Sequence, residues 1–202
     1  MTAISLEKGQ KVDLTKGSGA TKFYTGLGWD APAMQGGHEY DLDASAILLG
    51  TDGKILNGDS KNFIFYGNLN HASGAVTHTG DNLTGAGDGD DEVIIIDTSK
   101  LPADCDEVSF IVTIHDAAAR GQNFGSIKNA FVRILPANAD NTPAEGTQPS
   151  LRYDLNEDYS MFTAIQVGSV YRKDGEWKFD PVGQGFKADL KGVLSQYGAQ
   201  VA

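Results

Sequence analysis

Apolar residues along this chain recur in short alternating or continuous runs, broken by glycine, asparagine and aspartate, and the runs are rich in β-branched and aromatic side chains. That pattern predicts strands joined by turns. Strands are expected over 23–28, 40–49, 62–66, 93–97, 108–114, 130–135 and 162–170. Two hairpins are explicit. Ala46-Ile47-Leu48-Leu49 returns through Asp52-Gly53 into Lys54-Ile55-Leu56, and Val170-Tyr171-Arg172 returns through Asp174-Gly175 into Trp177-Lys178-Phe179, with Asp-Gly a favoured two-residue turn. Val93-Ile94-Ile95-Ile96 and Phe110-Ile111-Val112-Thr113-Ile114 are apolar on both faces, as central strands covered on two sides would be. The fold class that follows is mostly β, a two-sheet β-sandwich. Helical spacing is convincing once, in Phe186, Leu190, Val193, Leu194 and Tyr197, with Gly198 as a stop, which predicts a short C-terminal helix. The stretch 136–149 is rich in Pro, Asn and Thr without periodicity and reads as a mobile surface loop rather than a domain boundary. With 202 residues and 40% hydrophobic content, the expectation is one domain spanning 1–202.

The polar positions are less evenly spread. Gly80 to Glu92 reads GDNLTGAGDGDDE, which places five carboxylates, Asp81, Asp88, Asp90, Asp91 and Glu92, in thirteen residues, and no Lys or Arg occurs between Lys61 and Lys100. Such acids repel one another on a short loop unless a cation joins them. Hard oxygen donors interleaved with glycines suit Ca2+, which takes six to eight oxygens in flexible geometry. Zinc prefers His and Cys, and Mg2+ keeps several waters and so needs fewer carboxylates. An EF-hand is excluded, because the sixth position counted from Asp88 is Val93 where the turn glycine belongs. A second acidic pair lies in Glu39-Tyr40-Asp41-Leu42-Asp43-Ala44, where Asp41 and Asp43 leave one face of a strand and Tyr40, Leu42 and Ala44 the other. Loops cluster at the ends of a sandwich, so the two acidic segments could close one cage.

A net charge of −11 and a pI near 4.6 exclude nucleic acid as a partner, since phosphate contacts need clustered cations. The lone cysteine, Cys105, rules out an internal disulfide and fits a reducing compartment, and Asp104 and Asp106 beside it disfavour a reactive thiolate. The opening Met1-Thr2-Ala3-Ile4-Ser5-Leu6-Glu7-Lys8 lacks the basic and apolar regions of a leader, and no apolar run is long enough to span a bilayer. A cytoplasmic chain with no direct membrane insertion is expected. His71, His78 and His115 lack ligand spacing and read as structural, although His78 lies near enough to the acidic loop to orient a carboxylate.

On particular stretches the chain resembles the TerD family, calcium-binding proteins associated with bacterial tellurite resistance and general stress. They include Leu27-Gly28-Trp29-Asp30, Asp41-Leu42-Asp43-Ala44-Ser45-Ala46, Phe63-Ile64-Phe65-Tyr66-Gly67-Asn68-Leu69, His78-Thr79-Gly80-Asp81-Asn82-Leu83-Thr84-Gly85, Gly89-Asp90-Asp91-Glu92, Asn129-Ala130-Phe131-Val132-Arg133 and Gly175-Glu176-Trp177-Lys178-Phe179. The resemblance implies a β-sandwich akin to calcium-binding C2-type modules. It also implies two neighbouring Ca2+ ions held by Asp41 and Asp43 together with Asp81, Asn82, Asp88, Asp90, Asp91 and Glu92. The reading that follows is a non-enzymatic calcium-binding module linked to tellurite resistance, whose metal-ordered loops engage other proteins of the stress system, membrane-associated ones among them. The alternative is a metal-dependent phosphoesterase or hydrolase using the same acidic loop. The chain shows no general base or cationic substrate pocket for it.

Overall fold

The computed structural model describes residues 3–15, 19–30, 38–83, 89–146, 150–155 and 159–199. In chain order the strands are β1 (Ile4–Ser5), β2 (Val12–Asp13), β3 (Lys22–Asp30), β4 (Leu42–Leu49), β5 (Phe63–Ile64), β6 (Val76–His78) and β7 (Glu92–Asp97). They continue as β8 (Glu107–Ile114), β9 (Lys128–Pro136), β10 (Leu151–Asp154), β11 (Ala164–Lys173), β12 (Glu176–Asp180) and β13 (Gln184–Phe186). A single helical turn, α1 (Ala117–Arg120), follows β8, and α2 (Leu190–Gln196) follows β13. One sheet has the order β1-β10-β9-β3-β7-β6 and the other β2-β12-β11-β8-β4-β5, with β13 added beside β11.

The runs that are apolar on both faces occupy interior positions, β7 between β3 and β6 and β8 between β11 and β4. Their alternation explains why. Ile94 and Ile96 of β7 and Phe110, Val112 and Ile114 of β8 enter the core between the sheets. Ile95 packs outside the first sheet with Tyr24 and Leu135, and Ile111 packs outside the second with Ile47, Leu49, Val193 and Leu194. The helix α2 covers that second outer face, and its first turn is capped by Asp189, which accepts from the Gly192 amide at 2.8 Å.

The second predicted hairpin is present: β11 and β12 pair through Asp174 and Gly175 at φ 56 and 80, the left-handed pair a tight right-twisting turn requires. The first is reduced to one bridge, Leu49 to Ile55, because Leu56 turns at once into a 3-10 turn. The helix is shorter than its apolar spacing suggested. Phe186 belongs to β13, where it pairs with Ala164, and packs against α2 from the sheet. Within the proline-rich stretch, Ala137 bridges Pro143 around a turn in which the Asn138 amide donates to the Thr142 carbonyl at 2.8 Å. Among the described residues, no helix is long and apolar enough to cross a membrane.

Candidate metal centre

Asp41 immediately precedes β4 and Asp43 is its second residue, so the pleat sends both side chains to the same side while Tyr40, Leu42 and Ala44 enter the core. Asp81 approaches from the loop after β6. Asp41, Asp43 and Asp81 each offer a carboxylate oxygen, and these oxygens lie within 4.8 Å of one another. Two of the three are deeply placed: Asp41 is 7% exposed and Asp43 4%. Among the described residues the Oδ1 of Asp41 is buried with no hydrogen-bond partner, a costly state for a carboxylate oxygen. The Asp43 carboxyl is pushed up to about 8, first by burial and then by the charges of Asp41, Glu92 and Asp81. Burial also raises Asp41, with Asp81 adding to the shift and His115 opposing it. Acids perturbed by burial and by one another in this way form a cluster that could hold a cation. All three ligands are hard oxygens, which suits an alkaline-earth ion rather than zinc.

Glu92 and His78 brace this corner from the core side. The Glu92 side chain accepts from the Ala44 amide at 2.6 Å and the Asn82 amide at 3.2 Å, tying the acidic loop to the edge of β4. That edge is open there because β5 pairs only with Ala46 and Ile47. His78 receives the Gly80 amide on Nδ1 at 3.2 Å, which leaves Nε2 to carry the proton, and Nε2 lies 3.5 Å from Glu92 Oε2 with both side chains fully buried. The carboxylate that His78 faces is therefore Glu92, and at this distance Nε2 makes no hydrogen bond to it. Burial raises the Glu92 carboxyl, and the His78 contact and the two amides oppose that shift.

The remaining loop acids diverge. Asp90 lies on the outer face of the first sheet, where it accepts from Arg133 Nη2 at 2.7 Å, Arg133 Nε at 2.9 Å and the Tyr24 hydroxyl at 2.9 Å. Its charge is already matched, and the sequence places that cation 43 residues away. Asp91 accepts from the Trp29 amide at 2.9 Å and the Asn82 side-chain amide at 3.1 Å, and burial raises its carboxyl. Asp88 lies outside the described residues. Two glycines of β3 make room for this packing. A Cβ at Gly26 would come within 2.4 Å of Asp90 Cγ, and one at Gly28 within 2.6 Å of the Gly89 carbonyl. The Gly26-Leu27-Gly28 run is therefore a floor for the acidic loop.

One member of the corner was not legible from spacing. His115 stands 3.6 Å from Asp43 through Nδ1 and 3.6 Å from Asp116 through Nε2. It follows β8, and the register that sets Asp43 opposite Thr113 brings it there. Asp116 holds a left-handed conformation at φ 50, uncommon outside glycine and a feature that gathers at functional sites. Elsewhere, the Cys105 thiol is buried and pushed up to about 12, by burial first and by Asp106 only secondarily, so its unreactive character owes more to the core than to the flanking acids. Asp154 is paired with Arg152 at 2.8 Å, and Glu157 and Asp158 lie outside the described residues.

A two-sheet β-sandwich carrying a partly buried acidic cluster at one end defines a protein with a candidate cation centre. The TerD domain matches residues 1–197, and the chain belongs to the TerD family. It is 50% identical over 199 residues to general stress protein 16U of Bacillus subtilis, with 98% of each chain covered. It is 49% identical over 197 residues to tellurium resistance protein TerD of Serratia marcescens, with 97% of each covered. Among solved structures, the protein of unknown function SAV2460 superposes with a TM-score of 0.70 at 23% identity, covering 91% of this chain and 100% of that one, a likeness of fold.

Proposed function

We propose that this protein is a non-enzymatic calcium-binding module of a cytoplasmic stress response linked to tellurite resistance, in which calcium orders the acidic loops into a surface for a protein partner. The reading is carried by the Asp41, Asp43 and Asp81 cluster with its buried, unpartnered Asp41 Oδ1. A calcium ion would be held by these three carboxylates, and it would supply the positive charge that relieves their repulsion. The names of the relatives from Bacillus subtilis and Serratia marcescens support the stress and tellurium context. Tellurite is an oxyanion, so a chain of net charge −11 is a poor direct trap for it, and protection through another macromolecule is the more economical account. Calorimetric titration with Ca2+ tests the centre. Saturable binding that Asp41→Asn removes is expected, and the stoichiometry reports whether the two ions implied by the family resemblance are present. Capture of partners from lysate in Ca2+ but not in chelator tests the second half, and equal capture in both would end it.

A hydrolytic use of the same cage rests on His115, the imidazole beside Asp43. Phosphoester turnover with Ca2+, Mg2+ or Mn2+ that His115→Ala abolishes would replace the module reading. No turnover is expected.

A further inference from the structure

Asp43 belongs to two features at once. It is a member of the acidic cluster, and it also lines a cavity of about 640 Å³ between the outer face of the second sheet and the start of α2. That volume falls within the range of small-molecule sites, roughly 300–1,000 Å³. The walls divide by chemistry. Phe65 and Tyr66 form an aromatic side, with ring centroids 5.0 Å apart in an edge-on arrangement, and Tyr66 in turn meets the His115 ring edge-on at 6.2 Å. Leu190 and Leu194 supply an aliphatic side from α2. Beside Asp43 lies Thr113, which is 2% exposed and whose Oγ1 has no hydrogen-bond partner among the described residues, and Lys61 and Lys191 stand on the lining as cations. Tyr66 is 37% exposed, a large aromatic surface left open beside a polar floor.

Calcium takes six to eight oxygens, and three carboxylates fill only part of that shell. Oxygens arriving through the cavity would meet the cation at Asp43. We propose that this cavity binds a small ring-bearing oxyanion, a carboxylate or phosphonate on a flat apolar body, whose oxyanion completes the coordination of a cation at Asp41, Asp43 and Asp81 while its ring lies against Phe65 and Tyr66. The inference rests on the calcium reading. Without a cation the site repels the oxyanion through Asp116 and Asp189; with one, the balance reverses, and Lys61 and Lys191 favour the same sign of ligand. An organic amine would suit the aromatic side but would compete with the metal for Asp43 and face both lysines.

The test uses benzoate and phenylphosphonate, with benzylamine as the charge-reversed control, titrated into the full chain in Ca2+ and in chelator and followed by calorimetry and amide chemical shifts. Phenylphosphonate cannot be hydrolysed, so binding is separated from turnover, and the two oxyanions distinguish carboxylate from phosphate-like ligands. At least one should bind in Ca2+ and be lost in chelator, and Tyr66→Ala and Lys61→Glu should each weaken it by about fivefold to tenfold while leaving Ca2+ affinity within about twofold. If Ca2+ binds but neither oxyanion does, if chelator leaves their affinity unchanged, if benzylamine binds as well, or if both variants retain wild-type ligand affinity, this inference is overturned and the calcium reading stands. If Ca2+ itself does not bind, both fall.

Discussion

Asp90 and Asp43 are the same chemical group at the same end of the sandwich, yet the fold treats them oppositely. Asp90 is fastened on the outer face of the first sheet by three donors from Arg133 and Tyr24, so its charge is neutralised by a cation the protein carries itself. Asp43 is buried beside Asp41 and Asp81, where the described residues supply no such guanidinium and the neighbouring basic group is His115 at 3.6 Å. One carboxylate is structural and already paired; the other is part of a cluster that could hold an external cation. Acid density along a loop does not distinguish these cases. What does is whether a strand from elsewhere delivers a guanidinium to the same place.

The contrast is broken most forcefully at Arg133. Replacing it with leucine leaves Asp90 buried and unpaired, and stability should fall by about 3–5 kcal/mol in denaturant melts. The loss should be the same in Ca2+ and in chelator, because Asp90 belongs to the scaffold. A loss confined to chelator would move Asp90 into the metal centre, because Ca2+ would then stand in for the missing guanidinium. Next in size is the cage itself. Wild-type protein should gain about 2.7 kcal/mol at 100 times Kd of Ca2+. Asp41→Asn should remove most of that gain, yet in chelator the variant should match or exceed the wild type, since it deletes an unpartnered buried charge.

A smaller effect is expected from pH in chelator. With its carboxyl pushed up to about 8, Asp43 keeps a proton in the fold that the unfolded chain releases in the ordinary carboxylate range. The folded state then binds more protons, so its stabilising effect is complete at acid pH, declines as pH rises and is fully lost above about 8. Between about pH 5 and pH 8 the apo protein should lose stability with rising pH, and Asp43→Asn should flatten that slope. A slope unchanged in the variant would assign it to other acids. The smallest effect serves as a control. Lys100→Ala removes a surface pair with Asp97, whose lysine is 55% exposed, and should change stability by less than about 1 kcal/mol and Ca2+ affinity not at all.

The sequence by itself determined the architecture and the composition of the site. Strand alternation specifies which face is apolar, so the sandwich, the two central strands, the β11–β12 turn and the shared side of Asp41 and Asp43 were legible, as was the acidic character of Gly80 to Glu92. Tertiary structure decided how those acids divide. Arg133 reaches Asp90 because β9 pairs with β3, and the glycines at Gly26 and Gly28 let the loop lie on that strand. His115 joins Asp43 because β8 pairs with β4 in one register, with Thr113 opposite Asp43. The β13 pairing that shortened the predicted helix is of the same kind, a partner 22 residues earlier claiming Phe186. Local pattern reports which side of a strand a residue takes, whereas a carboxylate's protonation, pairing and availability depend on charges brought close by long-range strand pairing. Those distances are set only when the sheets close.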